Sequence, residues 1–236
     1  MDLKTIFNVI KDSIPPIHKE GHYFVTIFAV GTILLWAIWS PLGFVGLVAT
    51  VWCAYFFRDP ARVTPEGDSL VISPADGLIQ KIEKVAPPAE LGLSDEKVTR
   101  ISIFLNIFDV HINRCPISGE VTVLNYHPGK FLSANLDKAS VENERQSVVI
   151  KTPDGQEIVC VQIAGLIAKR IVCYLEDKQK VTAGERYGLI RFGSRADIYL
   201  PKGVNAQVIA GQRAIGGETI LADLKSKAAN RKGEIR

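Results

Sequence analysis

With 236 residues, 47% of them hydrophobic, the chain is long enough to bury a sizeable core, which excludes wholesale disorder. Its formal net charge of +3 is too small for a nucleic-acid binder, and no basic patch is interleaved with aromatic residues. A mildly positive balance does suit an anionic membrane surface.

In chain order, residues 1–22 read as an amphipathic, basic N-terminal segment, in which His18 and His22 look incidental. Residues 23–57 contain no charged side chain, well beyond the roughly 20 residues that cross a bilayer once. Ser40-Pro41-Leu42-Gly43 interrupts this run and predicts a turn there, hence a helical hairpin with two arms each a little short of a full span. Lys11 and Lys19 precede the run and Arg58 and Arg62 follow it, so the positive-inside tendency puts both flanks on the cytoplasmic face of a cell membrane. Tyr23, Phe24, Trp52 and Tyr55 sit where interfacial anchors belong. The apolar run starts too late and is too long for a signal peptide; a buried pair of globular helices is the remaining alternative.

Residues 58–222 change texture to short Val- and Ile-rich runs broken by Gly, Pro, Asp and Asn. The pattern predicts a mainly β (α+β) domain, with strands at 70–73, 77–85, 98–105, 120–126, 146–151, 157–163, 187–191, 196–200 and 206–209. Stretches around Ile117–Val121, Pro128–Lys130 and Val181–Glu185 resemble the Gly-punctuated hairpins of barrel-sandwich folds, a likeness of fold only. Residues 223–236 form a basic tail, with five basic residues and one acid from Lys225 onward, expected to be solvated. The cysteines Cys53, Cys115, Cys160 and Cys173 are too irregularly spaced for a metal site and read as buried, reduced thiols.

Gly193-Ser194 is the only Gly-Ser pair in the chain and lies between two strand-like runs. Alone it reads as a turn, as Asp76-Gly77 does, and His111 alone reads as a structural histidine. Together, however, VISPADG (71–77), FLNIFDVHINR (104–114) and YGLIRFGSRADIYLP (187–201) resemble the phosphatidylserine decarboxylase family in its short, prokaryotic form. Further matching text lies at Gly129–Ala134 and Glu142–Arg145.

The resemblance implies a proenzyme that cuts itself between Gly193 and Ser194 into a β chain, 1–193, and an α chain, 194–236. Ser194 becomes a covalent pyruvoyl cofactor, and neither a metal nor pyridoxal phosphate is expected. The chemistry needs these residue types: the Ser194 hydroxyl attacks the unshielded Gly193 carbonyl, and the resulting ester is then eliminated. A neutral alcohol is a poor nucleophile, so a base is required; by resemblance this is His111, oriented by the carboxylate of Asp76. Arg114 stands where a common form of the family has a second histidine. His111 is therefore expected to serve both cleavage and reprotonation, with Asp109 or Arg114 adjusting its charge and His127 in reserve. The implied substrate is phosphatidylserine in anionic membrane, with Lys130, Arg145, Lys169 and Arg170 as candidate headgroup contacts. Homo-oligomers are compatible with this reading. Two alternatives stay open: a pyruvoyl enzyme acting on a soluble amino acid, and a non-enzymatic, membrane-tethered carrier-like β domain.

Overall fold

The structure is a computed structural model that describes residues 14–134, 139–166, 170–191, 193–229, 231 and 233. Of the residues singled out above, Lys11, Lys169 and Phe192 lie outside this set, as do 1–13 of the N-terminal segment and 230, 232 and 234–236 of the tail. Two compact units divide the chain between Ala61 and Arg62.

The first unit is a helical pair, α1 (Lys19–Ile38) and α2 (Ser40–Phe56). The 20 residues of α1 make about 30 Å of helix, the thickness of a bilayer core; α2 is shorter. The expected turn over Ser40–Gly43 is corrected to a break at Trp39 alone, whose backbone is extended at φ −163° and ψ 126°. Pro41 causes no break because it sits in the first turn of α2, where no backbone N–H is needed and its fixed φ suits a helix. The helices meet at small residues: Thr32 and Thr50 hydroxyls share a 2.9 Å hydrogen bond, and a Cβ on Gly46 would fall 2.8 Å from Thr32 Oγ1. The base of the pair is closed by His18 N–H donating to the Phe57 carbonyl at 2.8 Å and Asp59 N–H to that of Pro16 at 2.7 Å. His18 is thus not incidental; its Nδ1 also accepts the Glu20 N–H and caps α1. Tyr23, Ile33, Leu34, Val45 and Val48 are mostly exposed, so the pair wears its apolar residues outside, as a lipid-facing segment does.

The second unit is mainly β. Eight antiparallel strands form one curled sheet in the order β12-β2-β3-β11-β7-β6-β5-β9. These are β2 (Gly77–Val85), β3 (Val98–Leu105), β5 (Gly119–His127), β6 (Arg145–Lys151), β7 (Glu157–Ala164), β9 (Lys180–Val181), β11 (Ser194–Tyr199) and β12 (Arg213–Ala214). A three-stranded sheet, β4-β10-β8 (Ile112–Arg114, Arg186–Ile190, Ile171–Cys173), and a pair, β1-β13 (Leu70–Ile72, Ile220–Asp223), complete the fold. Alternation along each long strand divides the residues between two faces. Ile101, Ile103, Leu105, Ile158, Cys160, Ala196 and Ile198 join residues of the small sheets in the main core. Val149, Val159, Val161, Ile163 and Tyr199 form a smaller cluster on the other face with Leu91.

The expected strand at 206–209 is absent. Ala206 and Val208 are buried in the main core, but their segment is irregular, and Gln207 N–H spends one bond on the Leu221 carbonyl. Burial alone produced the strand-like reading. The strand expected from 196 begins at Ser194. All four cysteines are free; burial pushes the Cys160 thiol up to about 12, and its Sγ shares a 3.0 Å hydrogen bond with Tyr187 Oη.

Candidate functional site

Gly193 and Ser194 lie at the point where an irregular connection enters the middle of the large sheet. Ser194 pairs with Leu105 on one side and Ala164 on the other, so the sheet holds its backbone from both flanks. Gly193, one residue outside the ladder, has φ +69°, a left-handed conformation that glycine adopts without penalty. A Cβ on Gly165 would sit 2.2 Å from the Gly193 carbonyl oxygen. Only glycine at 165 therefore lets that carbonyl lie where it does.

By strand alternation the Ser194 side chain faces the main core with Ala196 and Ile198. It is fully buried, and its hydroxyl has no hydrogen-bond partner among the described residues. Leaving a buried hydroxyl unmatched costs about 1–3 kcal/mol, a cost natural cores seldom carry without a reason. Gln162, on the same face of β7 and diagonal to Ser194 in the ladder, is also fully buried. Its amide donates to Asn113 Oδ1 at 2.8 Å, and its Oε1 is unmatched as well.

His111 reaches the same place from the connection before β4. It is 1% exposed; Gly193 N–H donates to its Nε2 at 3.3 Å, and its Nδ1 lies 3.0 Å from the Asp109 carbonyl. Because the carbonyl can only accept, Nδ1 carries the proton and Nε2 keeps its lone pair. The imidazole is neutral, with its basic nitrogen against Gly193. A tight turn holds this arrangement: Asn106 N–H donates to Asp109 Oδ2 at 2.9 Å, Phe108 N–H to Asn106 Oδ1 at 2.8 Å, and Arg213 binds Asp109 Oδ1. Asp109 thus positions the histidine through its main-chain carbonyl.

Asp76 belongs to an adjoining group. Its carboxylate accepts from Arg62 at 2.8 Å and from Gly216 N–H at 2.8 Å. Its loop is tied to β4, since Arg114 N–H donates to the Pro74 carbonyl at 2.9 Å. The short strand that follows His111 therefore also anchors the Asp76 loop. The Arg114 guanidinium is buried and donates to the Gly184 carbonyl at 2.9 Å. His127 ends β5, opposite Arg145, three strands from β11 in the sheet order.

The expected cations fall into two kinds. Arg145 is buried and ion-paired with Glu90 at 2.6 Å, whereas Lys130, paired with Glu142 at 3.0 Å, and Arg170 are exposed. Residues not anticipated from sequence complete the site. Asn143 is fully buried and clamps the loop after β5, donating to the Leu132 and Ala164 carbonyls at 2.7 Å each. Gly193 opens onto a cleft of about 270 Å³ lined by Phe104, Asn106, Ile107, Ser133, Ala134 and Leu166, none of them charged. Arg213 was likewise missed. Gly165, two residues beyond the strand-like run 157–163, was missed as well.

A buried nucleophile, a bare carbonyl and a neutral imidazole at one chain position suit intramolecular acyl transfer. Residues 49–222 match the model of the phosphatidylserine decarboxylase family. The chain is 53% identical over 229 residues to a phosphatidylserine decarboxylase proenzyme of Cereibacter sphaeroides, covering 97% of this chain and 99% of the relative. It is 58% identical to one of Paramagnetospirillum magneticum (94% and 92% covered) and 59% identical to one of Rickettsia bellii (89% and 91%).

Proposed function

The chain belongs to the phosphatidylserine decarboxylase family, and from that premise we propose that it cuts itself between Gly193 and Ser194 and uses the resulting pyruvoyl group to convert phosphatidylserine to phosphatidylethanolamine. The observation that carries this reading is the buried Ser194 hydroxyl, without a partner among the described residues, next in the chain to a carbonyl that Gly193 leaves unshielded and Gly165 makes room for.

Ser194 Oγ attacks the Gly193 carbonyl carbon and gives its proton to His111 Nε2, which must first release the Gly193 N–H that its lone pair accepts. The C–N bond breaks, the nitrogen of residue 194 takes up the proton, and an ester joins Gly193 to Ser194 Oγ. A base then removes the Ser194 Cα proton, and the Gly193 carboxylate leaves from Cβ. Water converts the remaining dehydroalanine to pyruvoyl and releases ammonia. Asp76 is the carboxylate of the site, held by Arg62 and Gly216 and coupled to the histidine segment through β4.

At position 194 a pyruvoyl group would supply a ketone able to condense with the substrate amine, with loss of water, and to accept the electron pair freed as carbon dioxide departs, water then releasing the product. His111 supplies the proton that replaces the carboxylate, so one histidine serves both stages; the buried Arg114 charge is turned to the Gly184 carbonyl. Lys130 and Arg170, exposed cations, and Arg213 beside Asp109 meet the anionic headgroup. The α and β chains stay together because β11 keeps both of its ladders after the cut. The helical pair tethers the enzyme to the cytoplasmic face of the membrane.

Ser194→Ala tests the assignment. The variant is expected to remain a single chain on a denaturing gel and to release no carbon dioxide from carboxyl-labelled phosphatidylserine. Activity in that variant would remove the cofactor from position 194.

A further inference from the structure

The turn that positions His111 also projects apolar side chains outward. Phe108 is 59% exposed and Ile107 36%, and across the cleft Leu166 is 64% exposed. Exposed side chains of this size are ordinary when scattered. Here they come from two separated connections, 106–109 and 165–166, and Ile107 and Leu166 line the cleft that ends at Gly193. The turn is rigid, since its three internal hydrogen bonds join Asn106 to Phe108 and Asp109, and Arg213 pins Asp109 beside it. Phe108 is therefore presented outward by a braced loop and is more than half exposed.

Cleft size identifies the occupant. At about 270 Å³ it falls below the roughly 300–1,000 Å³ of sites that enclose a drug-sized ligand. It accommodates a headgroup and not the acyl chains of a diacyl lipid. Each methylene drawn from bilayer into water lowers the population of that state about fourfold, so the chains must stay in the bilayer while the headgroup reacts. Resting on the reading of the site as a phosphatidylserine decarboxylase, we propose that Ile107, Phe108 and Leu166 form an insertion rim that presses the mouth of the cleft into the bilayer surface. The exposed Arg213 guanidinium beside the rim attracts anionic lipid to the same spot. This contact belongs to the catalytic unit itself and acts in addition to the helical pair.

The test compares full-length wild type with Phe108→Gln and Phe108→Leu, because Phe108 stands on the rim without lining the cleft. Each protein is assayed on phosphatidylserine in anionic vesicles and on a short-chain phosphatidylserine below its micelle concentration. Expected for Phe108→Gln are normal self-cleavage, unchanged turnover of the monomeric lipid and about tenfold slower turnover on vesicles, with Phe108→Leu restoring most of the vesicle rate. Equal loss on both substrates, or no loss on vesicles, overturns the rim. Absence of wild-type activity on both would instead refute the decarboxylase reading.

Discussion

Strand β11 carries two opposite solutions to burying polar groups, one on each face. On the face away from the main core, Arg195 and Asp197 are both nearly inaccessible and form a two-pronged ion pair, with Nε to Oδ1 and Nη2 to Oδ2 at 2.9 Å each. Arg195 also donates to the Ala134 carbonyl at 3.2 Å, and Arg100 lies 3.7 Å from Asp197. On the core-facing side, one residue away, the Ser194 hydroxyl has no partner among the described residues. The matched face holds the strand in register, and that rigidity keeps the neighbouring hydroxyl buried although it has no partner among the described residues. On the proposed reading, order on one face supports reactivity on the other.

The comparison is broken most severely by removing one half of the pair. Arg195→Leu leaves Asp197 buried with a weaker partner, and stability is expected to fall by about 3–5 kcal/mol, a large share of the roughly 5–15 kcal/mol that holds a domain together. Denaturant titration of the purified protein reads this directly. Replacing both residues by leucine should cost much less, because no lone charge remains.

Gly165→Ala attacks the other side. Its Cβ would need the space occupied by the Gly193 carbonyl oxygen, 2.2 Å away, so the Gly193–Ser194 peptide must shift. A displacement of about 1 Å costs reactions of this kind about a hundredfold, and self-cleavage followed by gel after synthesis should slow accordingly while the fold persists. Unchanged cleavage would show that this carbonyl is not held in its reactive position.

The smallest effect concerns a matched pair away from the site. Burial alone would raise the Glu90 carboxyl, but the hydrogen bond from Arg145, together with a main-chain N–H and the Arg145 charge, holds it below its ordinary range. A carboxyl lowered in the folded state adds stability above its unfolded value of about 4.3 and loses it as pH falls through the folded value. Glu90→Gln should therefore be the less stable protein at pH 7, and the difference should shrink in urea titrations near pH 3.

The long strands were legible because alternation had room to show: β2 and β3 occupy the expected 77–85 and 98–105. Strands β8, β9, β12 and β13 span two to four residues, too few for a period to emerge. The helix pair was legible from its lack of charge, while its break moved to Trp39 because proline ends helices inside them and starts them at their first turn. In the site, Gly193-Ser194 and His111 stood out through local motifs. Arg213 acts on Asp109 from 104 positions away, and Gly165 acts through strand register, and neither relation leaves a mark in the linear text. Gln162 looked like any polar residue in a strand until its burial was known.

On the proposed reading the buried hydroxyl of Ser194 cuts its own chain. Intact-mass measurement of the purified full-length protein tests it most directly. Two chains are expected, the smaller starting at position 194 and lacking a free amino terminus because a pyruvoyl group occupies it. A single uncut chain from folded, membrane-bound protein would contradict the account.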